Sequence, residues 1–316
     1  MLVSRVALVF VVALCALLGA AAPSIASSQS TGLKVLVVGN CPAQTGPLAT
    51  AIGEQPGIAS ATAFDSSAAT PTPAQLVAED LIVDTGDSCT VYADPVAYGN
   101  RLANYLDHGG VLLQTAYDVW SSSGTYPTGR FASGSYSPLT LGPNDNSGTT
   151  LGTVAKPNSP FVQGLGTFPN SDNTTNSLAP GATLLASWAD ARVAIAVKGR
   201  VVATSAGAYD GDTLPDLARL ARNTAAYFNA VPSTKITDSR IDSAKGMAAF
   251  RFKAVGVSLG FVCELKKTGK KAAYTICPSH VKYSRLAPGK YLFAVVAVGP
   301  GGPDPTPATR RFRITS

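Results

Sequence analysis

The stretch D-P-V-A-Y-G-N-R-L-A-N-Y-L-D-H-G-G-V-L-L-Q-T-A-Y-D-V-W, residues 94–120, decides how the rest of the chain is read. It spells a capped helix, a glycine stop and a buried strand. Asp94 is placed to accept from the free backbone amides of a first helical turn, and Pro95 stands where no donor is needed. Tyr98, Leu102, Tyr105 and Leu106 then recur on one face, and Gly109 supplies the left-handed residue that ends the helix. His108, in the last turn, reads as a capping residue, because a cation suits that end of the helix dipole. The apolar run 111–113 follows at once, too short for a helix and apolar on both faces, as a central parallel strand is. In enzymes with this layout the reactive residue stands at the end of such a strand. Here that end reads Gln114, Thr115, Ala116, Tyr117, Asp118, with no nucleophile flanked by small residues to form a strained elbow.

Working outward, the N-terminal side alternates strand and helix signals. Strands are predicted over 34–39, 60–64 and 81–85, with helices over 48–55 and from Thr72-Pro73 through Val77. With the 94–113 unit this makes an α/β domain with a flavodoxin-like, doubly wound, mostly parallel sheet, helices on both faces and right-handed crossovers. After Asp118 the pattern lapses into Ser, Gly, Pro, Asn and Thr until about residue 180. That is too long for an ordinary connection and predicts a lid or a surface-covering insertion. Alternation resumes at 183–188, 193–198 and 201–205. A helix over 215–228, with Leu217, Leu220, Ala221, Thr224 and Phe228 inward, closes the domain.

The first 26 residues read as a signal peptide, with Arg5 at the positive end, an apolar core over 6–18 and small residues around Ala26 for cleavage. That apolar run is shorter than the ~20 residues a span needs, so the mature chain is expected to carry no transmembrane anchor and to be secreted or held in the cell envelope. Cys15 leaves with the signal. Four cysteines remain in a chain expected where disulfides persist. Four allow three connectivities. If the first three strands are ordered 2-1-3, the carboxyl ends of the first and third lie side by side, which pairs Cys41 with Cys89. Cys263 and Cys277 flank a short hairpin-like segment and form the second pair.

Residues 231–233 read as a linker between a domain over 33–231 and another over 234–316. Charge changes sign there. From residue 233 onward there are 15 Lys and Arg against 4 Asp and Glu, a net of +11, whereas residues 1–232 carry a net of −5. The second domain reads as all-β, with strands over 247–253, 259–266, 273–277, 291–298 and 310–315.

Two resemblances rest on these segments. Residues 34–228 resemble a class I glutamine-amidotransferase-like domain of the exported, ThuA-like kind. The matching pieces are L-K-V-L-V-V-G, L-x-x-Y-L-x-x-G-G-V-L-L, G-R-F with S-Y-S-P-L, S-P-F-V-Q-G-L, A-S-W-A-D and G-R-V-V-A-T. The resemblance implies a Cys after the glycine-preceded strand and a His near the last strand in catalytic members. Thr115-Ala116 and Ser205-Ala206-Gly207 occupy those positions, so neither catalytic group carries over. The all-β part resembles a bacterial immunoglobulin-like module of secreted proteins through F-R-F, F-V-C-E-L, C-P-S, L-A-P-G-K-Y, F-A-V-V-A-V and D-P-T-P-A. It departs in the hairpin, where Lys266-Lys267-Thr268-Gly269-Lys270-Lys271 replaces an acidic, glycine-rich turn.

The crevice at the carboxyl ends of the parallel strands is expected to collect Asn40, Asp87, Tyr117, Asp118, Trp120 and Asp210 as ligand-binding candidates. Asp87 and Asp118 follow adjacent strands, so they could face one cleft as general acid and base or as ligands for a hard cation; the plainer reading makes both turn and cap residues. Trp120, Tyr126 and Tyr136 could stack on sugar rings or simply anchor the insertion. Lys266, Lys267, Lys270 and Lys271 are the anion-binding candidates. No cofactor or metal is expected, nucleic acid is not an expected partner, and an anionic envelope polymer or glycan is. The function read from sequence is an exported, non-catalytic binding protein of the envelope or extracellular space. The alternative is a carboxylate-dependent hydrolase of a glycan or glycoconjugate, acting through Asp87 and Asp118.

Overall fold

A computed structural model describes residues 32–121, 125–144, 147–171, 174–208 and 211–315. The predicted signal peptide, Cys15 and Asp210 lie outside the described residues. The chain divides into two units with the boundary between Phe228 and Asn229.

In the first unit the order is β1 (Leu33–Gly39), α1 (Pro42–Gly53), β2 (Ile58–Asp65), α2 (Pro73–Val77), β3 (Leu81–Thr85), α3 (Pro95–Asp107) and β4 (Leu112–Gln114). Then come α4 (Gly129–Ser133), β5 (Thr183–Ser187), β6 (Val193–Lys198), β7 (Val201–Thr204) and α5 (Leu214–Phe228). The central strands divide their side chains alternately between two cores. Val35, Val37, Leu81, Val83 and Leu113 enter one cluster, with Leu48 and Ile52 of α1 and Leu217, Leu220 and Phe228 of α5. Leu36, Val38, Ile82 and Leu112 enter the other, with Leu76 of α2 and Tyr98, Leu102 and Tyr105 of α3. Strands buried on both faces need helices on both sides, and the period of two sorts the residues between them.

The seven strands are ordered β2-β1-β3-β4-β7-β6-β5. Pairs from β2 through β7 are parallel, and β6 and β5 continue the sheet antiparallel. The 2-1-3 order sets Gly39 beside Thr85, and just beyond these strand ends Cys41 and Cys89 form a disulfide with Cα atoms 5.5 Å apart.

Most boundaries fall within two residues of the sequence pattern, and two of the departures have identifiable reasons. The first helix starts at Pro42, not residue 48. Pro47 looks like a helix start in sequence but lies inside α1, where only one ladder bond is forfeited. β4 runs one residue later than expected because Gln114 is held in register with Asp84 on one side and Ala203 on the other. In α3 the Asp94 carboxylate accepts from Ala97 N at 2.8 Å, and Gly109 takes φ of 88° to end the helix. His108 is the C-cap, its Nδ1 2.7 Å from Asn104 O.

The long polar insertion is a cover and not a bare loop. It contains α4, two 3-10 turns (Ala116–Val119 and Pro160–Val162) and isolated bridges that tie Leu139 to Leu178 and Thr149 to Asn170. Buried Phe131, Phe161 and Phe168 anchor it, Phe168 edge-on to Trp188 at 5.6 Å.

The second unit is antiparallel β throughout. Its order is β8 (Ser233–Asp242), β9 (Met247–Val255), β10 (Gly260–Lys267), β11 (Thr275–Cys277), β12 (His280–Tyr283), β13 (Gly289–Gly299), β14 (Gly302–Pro303) and β15 (Ala308–Ile314). One sheet is β12-β9-β8; the other is β11-β10-β13-β14, with β15 also paired to β13. Phe250 and Phe252 from the first meet Cys263, Phe293 and Val295 from the second, and Phe250 stacks on Phe293 at 4.0 Å. Cys263 and Cys277 are disulfide-bonded across β10 and β11.

Strands β8 and β12 and the two-residue β14 are absent from the sequence reading. β8 offers only Ile236 and Ile241 as apolar inward residues, and a bulge between Ile236 and Asp238 breaks its alternation. Ser233, read as linker, is already the first residue of β8. Among the described residues no helix is long and apolar enough to cross a membrane.

Candidate functional site

The carboxyl ends of β1, β3 and β4 carry the polar residues that the fold directs toward one crevice. Their burial is the first finding: Asn40, Asp84, Asp87, Thr115, Tyr117 and Asp118 are all buried, with Asp118 only 2% exposed. The crevice is closed by the insertion. Thr125 is itself buried, its hydroxyl reaches Tyr117 O at 3.5 Å, and its carbonyl lies so close to Gly86 that a Cβ there would collide with it. The next residues continue the seal, because Thr128 O would collide with a Cβ on Gly99 of α3. Glycine at both positions is therefore a requirement of close backbone approach.

Beneath this seal lies a pair of acids that the sequence reading assigned differently. Asp118 stands in the 3-10 turn over Ala116–Val119, just beyond β4. Its carboxyl partner is Asp84, the penultimate residue of β3, which is fully buried and shares a hydrogen bond with it. The Tyr92 hydroxyl lies 3.0 Å from Asp84 Oδ1 and 2.9 Å from Asp118 Oδ1, and the Tyr98 hydroxyl donates to Asp84 Oδ1 at 3.1 Å. Gly86 N donates to Asp118 Oδ1 at 3.1 Å.

Electrostatics follow from that enclosure. Burial pushes Asp84 up to about 7 against the opposing pull of its bonds to Tyr92, Tyr98 and Asp118. Asp118 is raised well above the carboxylate range, first by burial and then by the charge of Asp84. Both tyrosines are raised well above their usual value by burial and by the two acids. Two carboxyls in contact cannot both ionise cheaply in a dry site, so the pair holds a proton at neutral pH.

Asp87 belongs to a different arrangement. Its Oδ1 accepts from the Ser88 amide and hydroxyl, and its backbone is clamped by Asn40, which donates from Nδ2 to Asp87 O and accepts from Asp87 N, both at 2.7 Å. Asn40 Nδ2 also reaches Thr90 O. Asn40 and Asp87 are thus loop fasteners beside the Cys41–Cys89 bridge. Cys41, Asp87 and Cys89 cluster with metal-like spacing, but both sulfurs are spent in the disulfide, which leaves a single carboxylate as ligand.

Of the remaining candidates, Trp120 packs on Tyr117 at 4.4 Å and is half-buried. Tyr136 anchors the insertion: its hydroxyl donates to Asp107 Oδ1 at 2.7 Å, beside Arg130, which donates to Asp107 Oδ2 and Asn104 Oδ1. The four hairpin lysines separate. Lys267 turns over the Tyr291 ring at 6.0 Å, Lys270 and Lys271 sit at the exposed tip, and Lys266 lies on the opposite face of β10 from Lys267.

Asp84, Tyr92 and Tyr98 are what sequence reasoning missed. The signal was present in L-I-V-D-T: an acid inside a strand buried on both faces must find partners or a proton.

No known family profile matches the chain, and no curated protein matches it. Among solved structures, the chain is similar to a ThuA-like protein from Bacteroides uniformis, at 13% identity, 65% coverage of this chain and 96% of that one, with a TM-score of 0.45. It is similar to a glutamine amidotransferase from Thermotoga maritima, at 12% identity, 61% and 96% coverage and a TM-score of 0.43. A third likeness is to the protein FN3tt, at 17% identity, covering 27% of this chain and 97% of that one with a TM-score of 0.22.

Proposed function

We propose that this protein is an exported binding module that performs no chemistry of its own and works in the cell envelope or extracellular space. In this reading an amidotransferase-like α/β domain without that family's nucleophile precedes an immunoglobulin-like sandwich. One observation carries the proposal: the crevice in which an α/β sheet of this kind does its chemistry is filled by the chain's own insertion, which seats Thr125 on Gly86 above the Asp84–Asp118 pair. The strand order β2-β1-β3-β4 and the two facing antiparallel sheets support the domain assignments. The two disulfides suit an oxidising compartment.

A carboxylate-dependent hydrolase is the second reading, and one observation favours it. Asp84, held at about 7 beside Asp118, has the value a general acid needs. It requires the segment over 125–128 to lift away. The test is a turnover screen of the full chain on glycosidic and ester substrates, beside Asp84→Asn and Asp118→Asn. No turnover is expected. Turnover that disappears in either folded variant would overturn the binding-module reading in favour of the hydrolase.

A further inference from the structure

The sequence places the basic surface of the second unit at the hairpin tip, but the strand register assembles a different one. Lys266 of β10 lies opposite Leu292 of β13, and Leu292 lies opposite Arg311 of β15. Two pairs further along, Lys290 lies opposite Arg313. In-register neighbours share a face, and residues two apart on a strand share it too. Lys266, Lys290, Arg311 and Arg313 therefore stand together on the outer face of this sheet, all exposed, around the half-buried Leu292. They line a groove of about 600 Å³ together with Thr268 and Gly269.

Nothing in the described unit neutralises this group. Of its four acids, Asp238 and Asp242 pair with Arg240 and Lys245, and Asp304 is buried with bonds to Thr234 and Thr306. Glu264, two residues before Lys266, forms no salt bridge with any of the four cations among the described residues.

We propose that this groove is the binding site for a linear phosphodiester polyanion. The proposal rests on the binding-module reading and adds the site and the ligand chemistry. Neighbouring cations here are about 5–7 Å apart, across the sheet and along a strand, so repeated anions engage several at once where one small anion engages two. Arginine's fork takes two oxygens of one phosphate, and lysine adds a point charge. Leu292 gives the floor an apolar strip for the carbon linkers between phosphates. The recess suits a chain laid along it better than a flat lipid surface.

The experiment measures binding of the full-length protein to synthetic poly(glycerol phosphate) over a salt series, with phosphatidylglycerol vesicles in parallel. Two variants remove equal charge: Arg311→Ser with Arg313→Ser in the groove, and Lys270→Ser with Lys271→Ser at the tip. Loss of two charge-assisted contacts is expected to weaken binding more than about tenfold in the groove variant. The tip variant, losing only solvated charge, should change by less than about threefold. Binding should also fall as salt rises, less steeply in the groove variant. Equal losses in the two variants, or no binding at low salt, overturn the proposal. So does vesicle binding that depends on the same arginines while the soluble polymer is ignored, since the surface is then a membrane contact. Release of glycerol phosphate from the polymer would instead overturn the non-catalytic reading and leave the groove result standing.

Discussion

Asp84 and Asp118 present their Oδ1 atoms to the same Tyr92 hydroxyl, at 3.0 and 2.9 Å. One hydroxyl has one hydrogen, and Asp84 Oδ1 already accepts from Tyr98. The geometry is thus complete only when one carboxyl keeps its proton. Two acids and two phenols, with no cation among their bonding partners in the described residues, make a site whose stability depends on pH in the unusual direction.

The sign follows from linkage. A carboxyl raised to about 7 in the folded chain binds a proton that the unfolded chain has released, so stability falls as pH rises from about 4 through about 7. Thermal melts should therefore give a lower Tm at pH 8 than at pH 5.5. Asp118→Asn keeps an acceptor for Gly86 N and Tyr92 while removing the second charge, and it should flatten that dependence and raise Tm at pH 8 by roughly 3 °C or more. A variant that melts lower than wild type at both pH values would mean the pair is not proton-sharing.

Gly86 and Gly46 form a matched test of the crevice seal. A Cβ on Gly86 would collide with Thr125 O and come within 2.7 Å of Asp118 Oδ1, whereas one on Gly46, in α1, meets nothing within 4 Å. Gly86→Ala is expected to cost about 1–3 kcal/mol in chemical denaturation. Gly46→Ala should be neutral or stabilise by up to about 1 kcal/mol. Equal effects would show that the insertion does not press on the strand end.

Asn40 makes three side-chain bonds to the 87–90 loop at zero exposure, which fits a fastener and not a ligand contact. Asn40→Ala should lower stability by roughly 2–4 kcal/mol, because it strands buried backbone groups. Asp87→Asn, which leaves that backbone clamp intact, should cost clearly less. Urea titration of both variants separates them.

The two disulfides close chain segments of different length, with sequence separations of 48 and 14. In the chain-entropy account the longer closure contributes about 1 kcal/mol more. Replacing Cys41 and Cys89 by Ser should therefore destabilise its unit more than replacing Cys263 and Cys277 does its own. Two resolved melting transitions would report each effect separately.

What the sequence made legible was whatever depends on local pattern. The Asp94 cap, the Gly109 stop, the inward face of α5 and the order that brings Cys41 to Cys89 all follow from residues close in sequence or from one topological rule. What it hid depends on which side chains meet across distance. Asp84 and Asp118 are 34 residues apart, and only the 3-10 turn over Ala116–Val119 brings Asp118 back over β3. Asp87, which follows the end of β3 and so is the natural partner on paper, is held in its loop by the Asn40 clamp. The basic groove was hidden in the same way, because Lys266, Lys290, Arg311 and Arg313 are scattered along the chain and only strand register gathers them.

Each disulfide also begins and ends within one unit, so among the described residues no disulfide joins those before 229 to those after it. A single protease cut near Pro232 would then produce two fragments, each still cross-linked internally, with neither of these disulfides between them. The cationic fragment could be shed from the acidic one, or left behind on whatever polymer it holds, by hydrolysis of one peptide bond.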